Sequence, residues 1–283
     1  MKVGIRYETT YSYGDEVGFS THDVRLFPRS SCHVRVSSFD FKTKPGATIR
    51  FFRDVFDNVV AACIFPARAT ELQLQLALDL KLEEKDPFHF LLENSAVDLP
   101  FAYEASSLPM LAAYRERRTL GDLEVPGWQP PTHEKQAPTV ATLVALNKAI
   151  HDSIGYERRA EGAARPPVET LRMRRGACRD VAVLLAEILR QMGLAARLVS
   201  GYLRETDPAS RRAEGSLHAW TEVFLPGAGW IGMDATNGVL SNHNFISAAV
   251  GLTPADVTPV SGSYYHRETI PSQMTSRLEL INL

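Results

Sequence analysis

The amino-acid sequence predicts an α+β protein in two halves, a β-sandwich followed by a domain in which one helix packs on an antiparallel sheet. Three observations carry this expectation. Residues 71–83 place leucine at every second position from Leu72 to Leu82, with Gln73, Gln75, Ala77, Asp79 and Lys81 between, the pattern of a half-buried antiparallel strand. From Cys178 onward, apolar residues fall at Val181, Leu184, Leu185, Ile188, Leu189 and Met192, the spacing of a helix with one buried face, and Gly193 stops it. Three strand-like runs follow, Ala196 to Leu203, Ala219 to Leu225 and Trp230 to Met233, the last two joined by the turn Pro226-Gly227-Ala228-Gly229.

In chain order, the first half offers further strand-like runs at Val3 to Tyr13, Val24 to Phe27, Val34 to Phe41, Thr48 to Phe52 and Val59 to Phe65. Turn residues separate them: Gly14-Asp15, Pro28, Pro45-Gly46 and Asp57-Asn58. Short strands with regular punctuation suggest a sandwich. Residues 104–138 change character, with Pro109, Pro126, Gly127, Pro130, Pro131 and Pro138 around a charged run from Arg115 to Arg118. They read as a connection holding one short helix. Thr139 to Ser153 has apolar residues at 140, 143, 144, 146 and 150, which predicts an amphipathic helix with Thr139 as N-cap. The expected boundaries are therefore a sandwich over 1–104, a linker over 105–138, a second domain over 139–265 and a C-terminal tail over 266–283. No internal repeat relates the halves.

Composition narrows the function classes. A chain of 283 residues, 45% apolar and 23% charged, is long enough for one or two domains with a real core. Lys plus Arg is 31 against 33 for Asp plus Glu, a net charge of −2 that argues against nucleic acid as a partner. No run reaches the roughly 18 apolar residues of a membrane span, so no membrane partner is expected. The start, MKVGIRYETTYSYGDE, lacks the apolar core of a secretory signal. Three cysteines, Cys32, Cys63 and Cys178, are too sparse for a disulfide framework and suit a reducing, cytoplasmic setting. No Cys-x-x-Cys, His-Glu-x-x-His, Gly-x-Gly-x-x-Gly or calcium loop occurs, so neither a metal nor another cofactor is expected. Cys32-His33 lacks further ligands at metal spacing, and Cys63 lies among apolar neighbours.

Cys178 opens the best-defined helix, within Arg174-Arg175-Gly176-Ala177-Cys178-Arg179-Asp180. A thiol there feels the positive end of the helix dipole, and any of Arg172, Arg174, Arg175 and Arg179 that face it favour the thiolate further. Gly176 leaves room for another group beside the sulfur. By itself such a cysteine is more often a small buried residue. Its company changes the reading. His218 opens one strand, in Ser216-Leu217-His218-Ala219-Trp220, and Asp234 closes the next, before Ala235-Thr236-Asn237. The turn at 226–229 makes these strands antiparallel neighbours, which puts His218 and Asp234 at one end of the hairpin. A helix packed across that sheet brings Cys178 to the same end, assembling a nucleophile, a base and an orienting acid. Singly, His218 also reads as a satisfied strand-end histidine and Asp234 as a turn former. The arginines suit an acidic substrate or plain solvation, and Trp220 and Trp230 a cleft or the core.

Gly176 to Asp180, then Gly193-Leu194-Ala195-Ala196-Arg197 through Gly201-Tyr202, His218-Ala219-Trp220-Thr221-Glu222-Val223, Gly229-Trp230 and Asp234-Ala235-Thr236-Asn237-Gly238 resemble the bacterial transglutaminase-like superfamily. The likeness covers about residues 139–260. Arg25-Leu26-Phe27-Pro28-Arg29, Asp54-Val55-Phe56-Asp57-Asn58 and Thr70-Glu71-Leu72 are similar to the β-domain that precedes this core in bacterial members. The resemblance implies a papain-like core with Cys178 as nucleophile, His218 as general base and acid, and Asp234 as its orienting residue. It also implies acyl transfer at amide bonds through a thioester, with a protein or peptide substrate. The Cys178 N–H suits one oxyanion donor, and Tyr156, in Ile154-Gly155-Tyr156, is a candidate for the second. The chain departs from the family pattern at Arg179, where glutamine is usual, and at Ala235, where proline is usual, which would loosen the turn behind the acid. Asn242-His243-Asn244-Phe245 and Gly251-Leu252-Thr253-Pro254 also differ from it. The implied function is that of a transglutaminase-like enzyme or cysteine peptidase. The alternatives are a binding or scaffold protein that keeps the core without the chemistry, and acetyl transfer from a thioester donor.

Overall fold

A computed structural model of the chain describes residues 1–159, 162–204 and 217–283. The first half forms β1 (Lys2–Phe19), β2 (His22–Val24), β3 (Val34–Lys44), β4 (Thr48–Arg53), β5 (Val59–Ile64) and β6 (Ala69–Leu82). In β6 every leucine from Leu72 to Leu82 is buried and the residues between are not, as period two requires. β1 and β3 flank β6 in one sheet; β2, β5 and β4 follow in that order in a second. Val3, Ile5 and the β6 leucines meet Val24, Ala61 and Cys63 between the sheets, which makes the half a sandwich.

The expected strand over Val24 to Phe27 ends at Val24. Beyond it the backbone turns to the other half of the molecule: Arg25 N–H donates to Pro259 O, Arg29 N–H to Ser247 O, and Leu26 O accepts the Tyr202 hydroxyl at 2.7 Å. Leu26 and Phe27 stay buried without a ladder.

Residues 83–138 hold β7 (Asp98–Leu99), α1 (Leu108–Arg115) and β8 (Ala137–Pro138), and they are anchored rather than loose. Leu111, Leu123 and Val125 are buried, and the Tyr103 hydroxyl accepts Ala195 N–H and donates to Phe224 O. The buried Glu187 carboxylate accepts the N–H groups of Arg118 and Thr119, both at 2.8 Å, while Arg190 pairs with it.

The second half contains α2 (Thr139–Ser153), β9 (Gly155–Tyr156), α3 (Pro167–Met173), β10 (Arg175–Gly176), α4 (Cys178–Gln191), β11 (Ala196–Leu203), β12 (His218–Leu225), β13 (Gly229–Asp234), β14 (Val239–Leu240) and β15 (Phe245–Gly251). Thr139 is the first residue of α2 rather than its cap; Pro138 precedes it, and the Thr139 hydroxyl donates instead to Ala96 O at 2.7 Å. The sheet order is β14-β13-β12-β11-β15. α4 lies on one face, burying Val181, Leu184, Leu185, Ile188 and Leu189 against Leu198, Val223, Met233 and Ala249. Gly193, at φ +80°, ends the helix in a left-handed conformation that favours glycine.

Residues 266–283, expected as a tail, mostly form a strand. After β16 (Val260–Ser261) and β17 (Tyr264–Tyr265), β18 (Ser272–Asn282) runs antiparallel to β1, from Val3 opposite Asn282 to Tyr13 opposite Ser272. β16 pairs with β2, so the end of the chain completes both sheets of the first half. The pairing was invisible locally because β18 alternates weakly, burying only Leu278.

Candidate active site

The site lies where the N-terminus of α4 meets the open end of the β12–β13 hairpin. Asp180 shapes that helix start: its Oδ2 accepts the Ala177 N–H at 2.9 Å, and Oδ1 accepts Arg159 Nη2 at 2.7 Å and Arg165 N–H at 2.8 Å. Gly176 makes room for this same side chain, since a Cβ there would lie 3.0 Å from Asp180 Cβ. The glycine therefore serves the helix start rather than an incoming ligand. The arginines divide accordingly. Arg159 and Arg165 serve Asp180 and Glu157, while Arg172, Arg174 and Arg175 are exposed. Arg179 Nη1 donates to Arg159 O.

Cys178 is the first residue of α4 and is partly exposed. His218 and Asp234 are buried, and His218 Nε2 lies 2.8 Å from Asp234 Oδ2. Alternation along β12 puts His218 and Trp220 on one face, while Thr221 on the other donates to Ala182 O in α4. With Nε2 given to Asp234, Nδ1 is the ring atom left for the thiol, and it has no hydrogen-bond partner among the described residues. The structure thus brings Cys178, His218 and Asp234 together. Ser216, the start of the expected His218 strand, lies outside the described residues.

The electrostatics are those of a coupled pair. Burial opposes charge on the thiol, but the neighbouring His218, with the Ala219 N–H, outweighs it and lowers the Cys178 pKa. Burial also opposes charge on the imidazole, and the charge and hydrogen bond of Asp234, together with Cys178, reverse this and raise the His218 pKa. Asp234 is held below its ordinary value against burial, by His218 first and then by Asn237 and the Thr236 N–H. Both shifts act in favour of the charged forms, the thiolate and the imidazolium.

Asn237 was not singled out from sequence, yet its Nδ2 donates to Asp234 Oδ2 at 2.7 Å. Thr236 N–H donates to Oδ1 at 3.0 Å, so the turn is pinned by the acid itself and the alanine at 235 does not loosen it. The Asp-x-x-Asn spacing could have suggested this Asx-type turn. Trp220, buried, stacks on His218 with ring centroids 6.2 Å apart, and Phe245 contacts both rings. Trp230 instead packs beneath Arg197 and against Tyr114 and Phe224, away from the triad. Tyr156 pairs in register with Gly176, two residues before Cys178. Cys32 is exposed; Cys63 is buried in the sandwich, and its thiol is pushed up to about 11 by burial first and Asp23 second. Among the described residues no three His, Cys, Asp or Glu side chains are grouped to hold a metal ion, and no helix is long and apolar enough to cross a membrane.

A sandwich joined to this α+β core, with a cysteine at a helix start facing a His–Asp pair, defines the class. Residues 3–80 match the bacterial transglutaminase-like N-terminal region, and residues 128–235, which include Cys178, His218 and Asp234, match the transglutaminase-like superfamily. The chain thus carries a transglutaminase-like region preceded by the N-terminal region found with it in bacteria. An uncharacterized protein of Mycobacterium leprae is 27% identical over 273 residues, 94% of each chain, and one of Mycobacterium tuberculosis is 28% identical over 274 residues, 92% of this chain and 87% of the relative. A Pseudomonas aeruginosa protein-glutamine gamma-glutamyltransferase is 29% identical over 151 residues, 51% of this chain and 21% of that protein. The fold is that of a candidate cysteine protease from Cytophaga hutchinsonii, with a TM-score of 0.69 at 18% identity over 100% of this chain and 91% of the other.

Proposed function

We propose that the protein is a thiol-dependent amide acyltransferase or hydrolase in which Cys178 is the nucleophile, His218 the general base and acid, and Asp234 the orienting residue. The observation that carries this reading is the buried 2.8 Å His218–Asp234 hydrogen bond beside a cysteine at a helix start. The Cys178 thiolate attacks an amide carbonyl, and the carbonyl π pair becomes an oxyanion. The Cys178 N–H, among the helix N-terminal groups that lack an intrahelical acceptor, is the donor assigned to it in this reading. The His218 imidazolium gives its proton to the leaving nitrogen as the C–N bond breaks, leaving a thioester and a neutral imidazole. That imidazole then takes a proton from water or an amine as it attacks, which releases the acid or a new amide and restores the thiolate.

The half-chain similarity to a protein-glutamine gamma-glutamyltransferase supports a protein or peptide as acyl donor. Incubation with a peptide library and an amine probe, followed by mass analysis, tests the reading. Cleaved peptides identify a peptidase; deamidated or amine-tagged glutamines identify a transglutaminase. Cys178→Ala is expected to abolish either product while the protein stays folded, and product formed by that variant would overturn the assignment. A chain that yields no product and whose Cys178 alkylates like a free thiol would be a binding protein.

A further inference from the structure

The turn between β4 and β5, Asp54 to Asn58, belongs to the sandwich but reaches into the catalytic sheet. It is stiff. Asp54 Oδ1 accepts the N–H groups of Phe56 at 2.9 Å and Asn58 at 3.0 Å, Oδ2 accepts Asn58 Nδ2 at 3.0 Å, and Asp57 adopts φ +62°. Asn58, fully buried, then pairs with Val250 of β15 as a neighbouring strand would. Val250 N–H donates to Oδ1 at 2.8 Å, and Nδ2 donates to Val250 O at 2.8 Å. Arg29 clips the junction, its Nη1 donating to Asn58 Oδ1 at 2.8 Å and to Phe56 O at 2.9 Å.

Phe56 packs on a cluster formed by Val199, Trp220 and Val250. These three are register partners in a row across the sheet, Val250 opposite Val199 and Val199 opposite Trp220. Trp220 ends the row with its ring stacked on His218 at an interplanar angle of 22°. A hydrogen bond to Asp234 fixes one atom of the imidazole, but the tilt of the ring about that bond depends on what lies against its face. The titratable groups acting on His218 are Asp234 and Cys178; Trp220 and Phe245, its ring neighbours, carry no charge.

We infer that Phe56 and Asn58 of the sandwich are positioning residues for His218: they hold Trp220 against the imidazole face and so align Nδ1 on the Cys178 thiol. The inference rests on the proposed triad. It gives the N-terminal domain a part in the chemistry without contact to substrate, and it makes the sandwich and the core one functional unit.

The test is the pH dependence of Cys178 alkylation by iodoacetamide, followed on the Cys178 peptide by mass spectrometry in the full chain, with thermal melting to establish folding. Wild type is expected to alkylate with a midpoint below that of an ordinary thiol. Phe56→Ala and Asn58→Ala should raise that midpoint by about one pH unit. On any peptide that wild type processes they should lower kcat about tenfold with little change in KM, within what a sub-ångström misplacement costs. Phe56→Leu, which fills the space without the flat ring, should fall between and carries the test if Phe56→Ala does not fold. Val55→Ala, in the same turn but 92% exposed, should match wild type. A depressed wild-type midpoint that folded Phe56 and Asn58 variants leave unchanged, with kcat intact, overturns this inference alone. An ordinary thiol midpoint in wild type overturns the triad reading as well.

Discussion

Asp234 shows how much a single buried carboxylate organises. Its two oxygens accept from His218 Nε2, Asn237 Nδ2 and the Thr236 and Asn237 N–H groups, so a charge that burial would penalise is met on every side. Asp234→Asn keeps the shape and removes the charge that holds the imidazolium. We expect it to lower the His218 pKa and raise that of Cys178, with turnover falling on the order of a thousandfold. The wild-type rate should be bell-shaped in pH. Its acid limb, where the thiolate is protonated, lies below the ordinary thiol value of 9.0, and its alkaline limb, where the imidazolium is lost, lies above the ordinary imidazole value of 6.5. Kinetics across a pH series check both limbs, and the variant should lose the alkaline limb's upward displacement. At this scale the places of Cys178, His218 and Asp234 in the fold were legible because helix start, strand start and strand end are local signals. Asn237 had a local signal too weak to stand out. Phe56 and Phe245 lie in stretches the sequence marks, but nothing local says that they pack beside His218, because that depends on which strands become neighbours.

At the scale of elements, the sheet that carries His218 depends on a close approach between β11 and β15. Gly201, opposite His218, faces a backbone so near that a Cβ would lie 2.1 Å from Ile246 O. Gly201→Ala must push the two strands apart beside the imidazole. The expected cost is about 2–3 kcal/mol, read as a fall in Tm of roughly 5–10 °C by calorimetry. β6 and α4 were readable because each buries a clean stripe, at period two in one and helical spacing in the other. The two-residue strands β9, β10, β16 and β17 were not, since they exist only through partners distant in the chain. The end of the expected strand at Val24 has the same origin: Arg25, Leu26 and Arg29 spend their backbone groups on Pro259, Tyr202 and Ser247.

For the whole molecule, the fold class read from strand and helix patterning, a β-sandwich and an α+β core, is the one observed, but the chain does not lay the halves down one after the other. β16, β17 and β18 return to the sandwich after the five-stranded sheet that carries His218 is complete. The signal that would have placed them is a pairing between the two ends of the sequence, which no local pattern contains. This arrangement has a consequence in time. During synthesis β1 and β6 are both made early, but the partner of the other edge of β1 is complete only when the 200 residues from Leu82 to Asn282 have been added. At about 5–20 residues per second that interval is on the order of 10–40 s, long enough for an unpaired edge strand to find a wrong partner. A chain ending at Pro271 should therefore aggregate, and a peptide of residues 272–282 added during refolding should rescue it by strand addition, as followed by light scattering. The final strand of the chain is thus also the step that closes its longest exposure to misassembly.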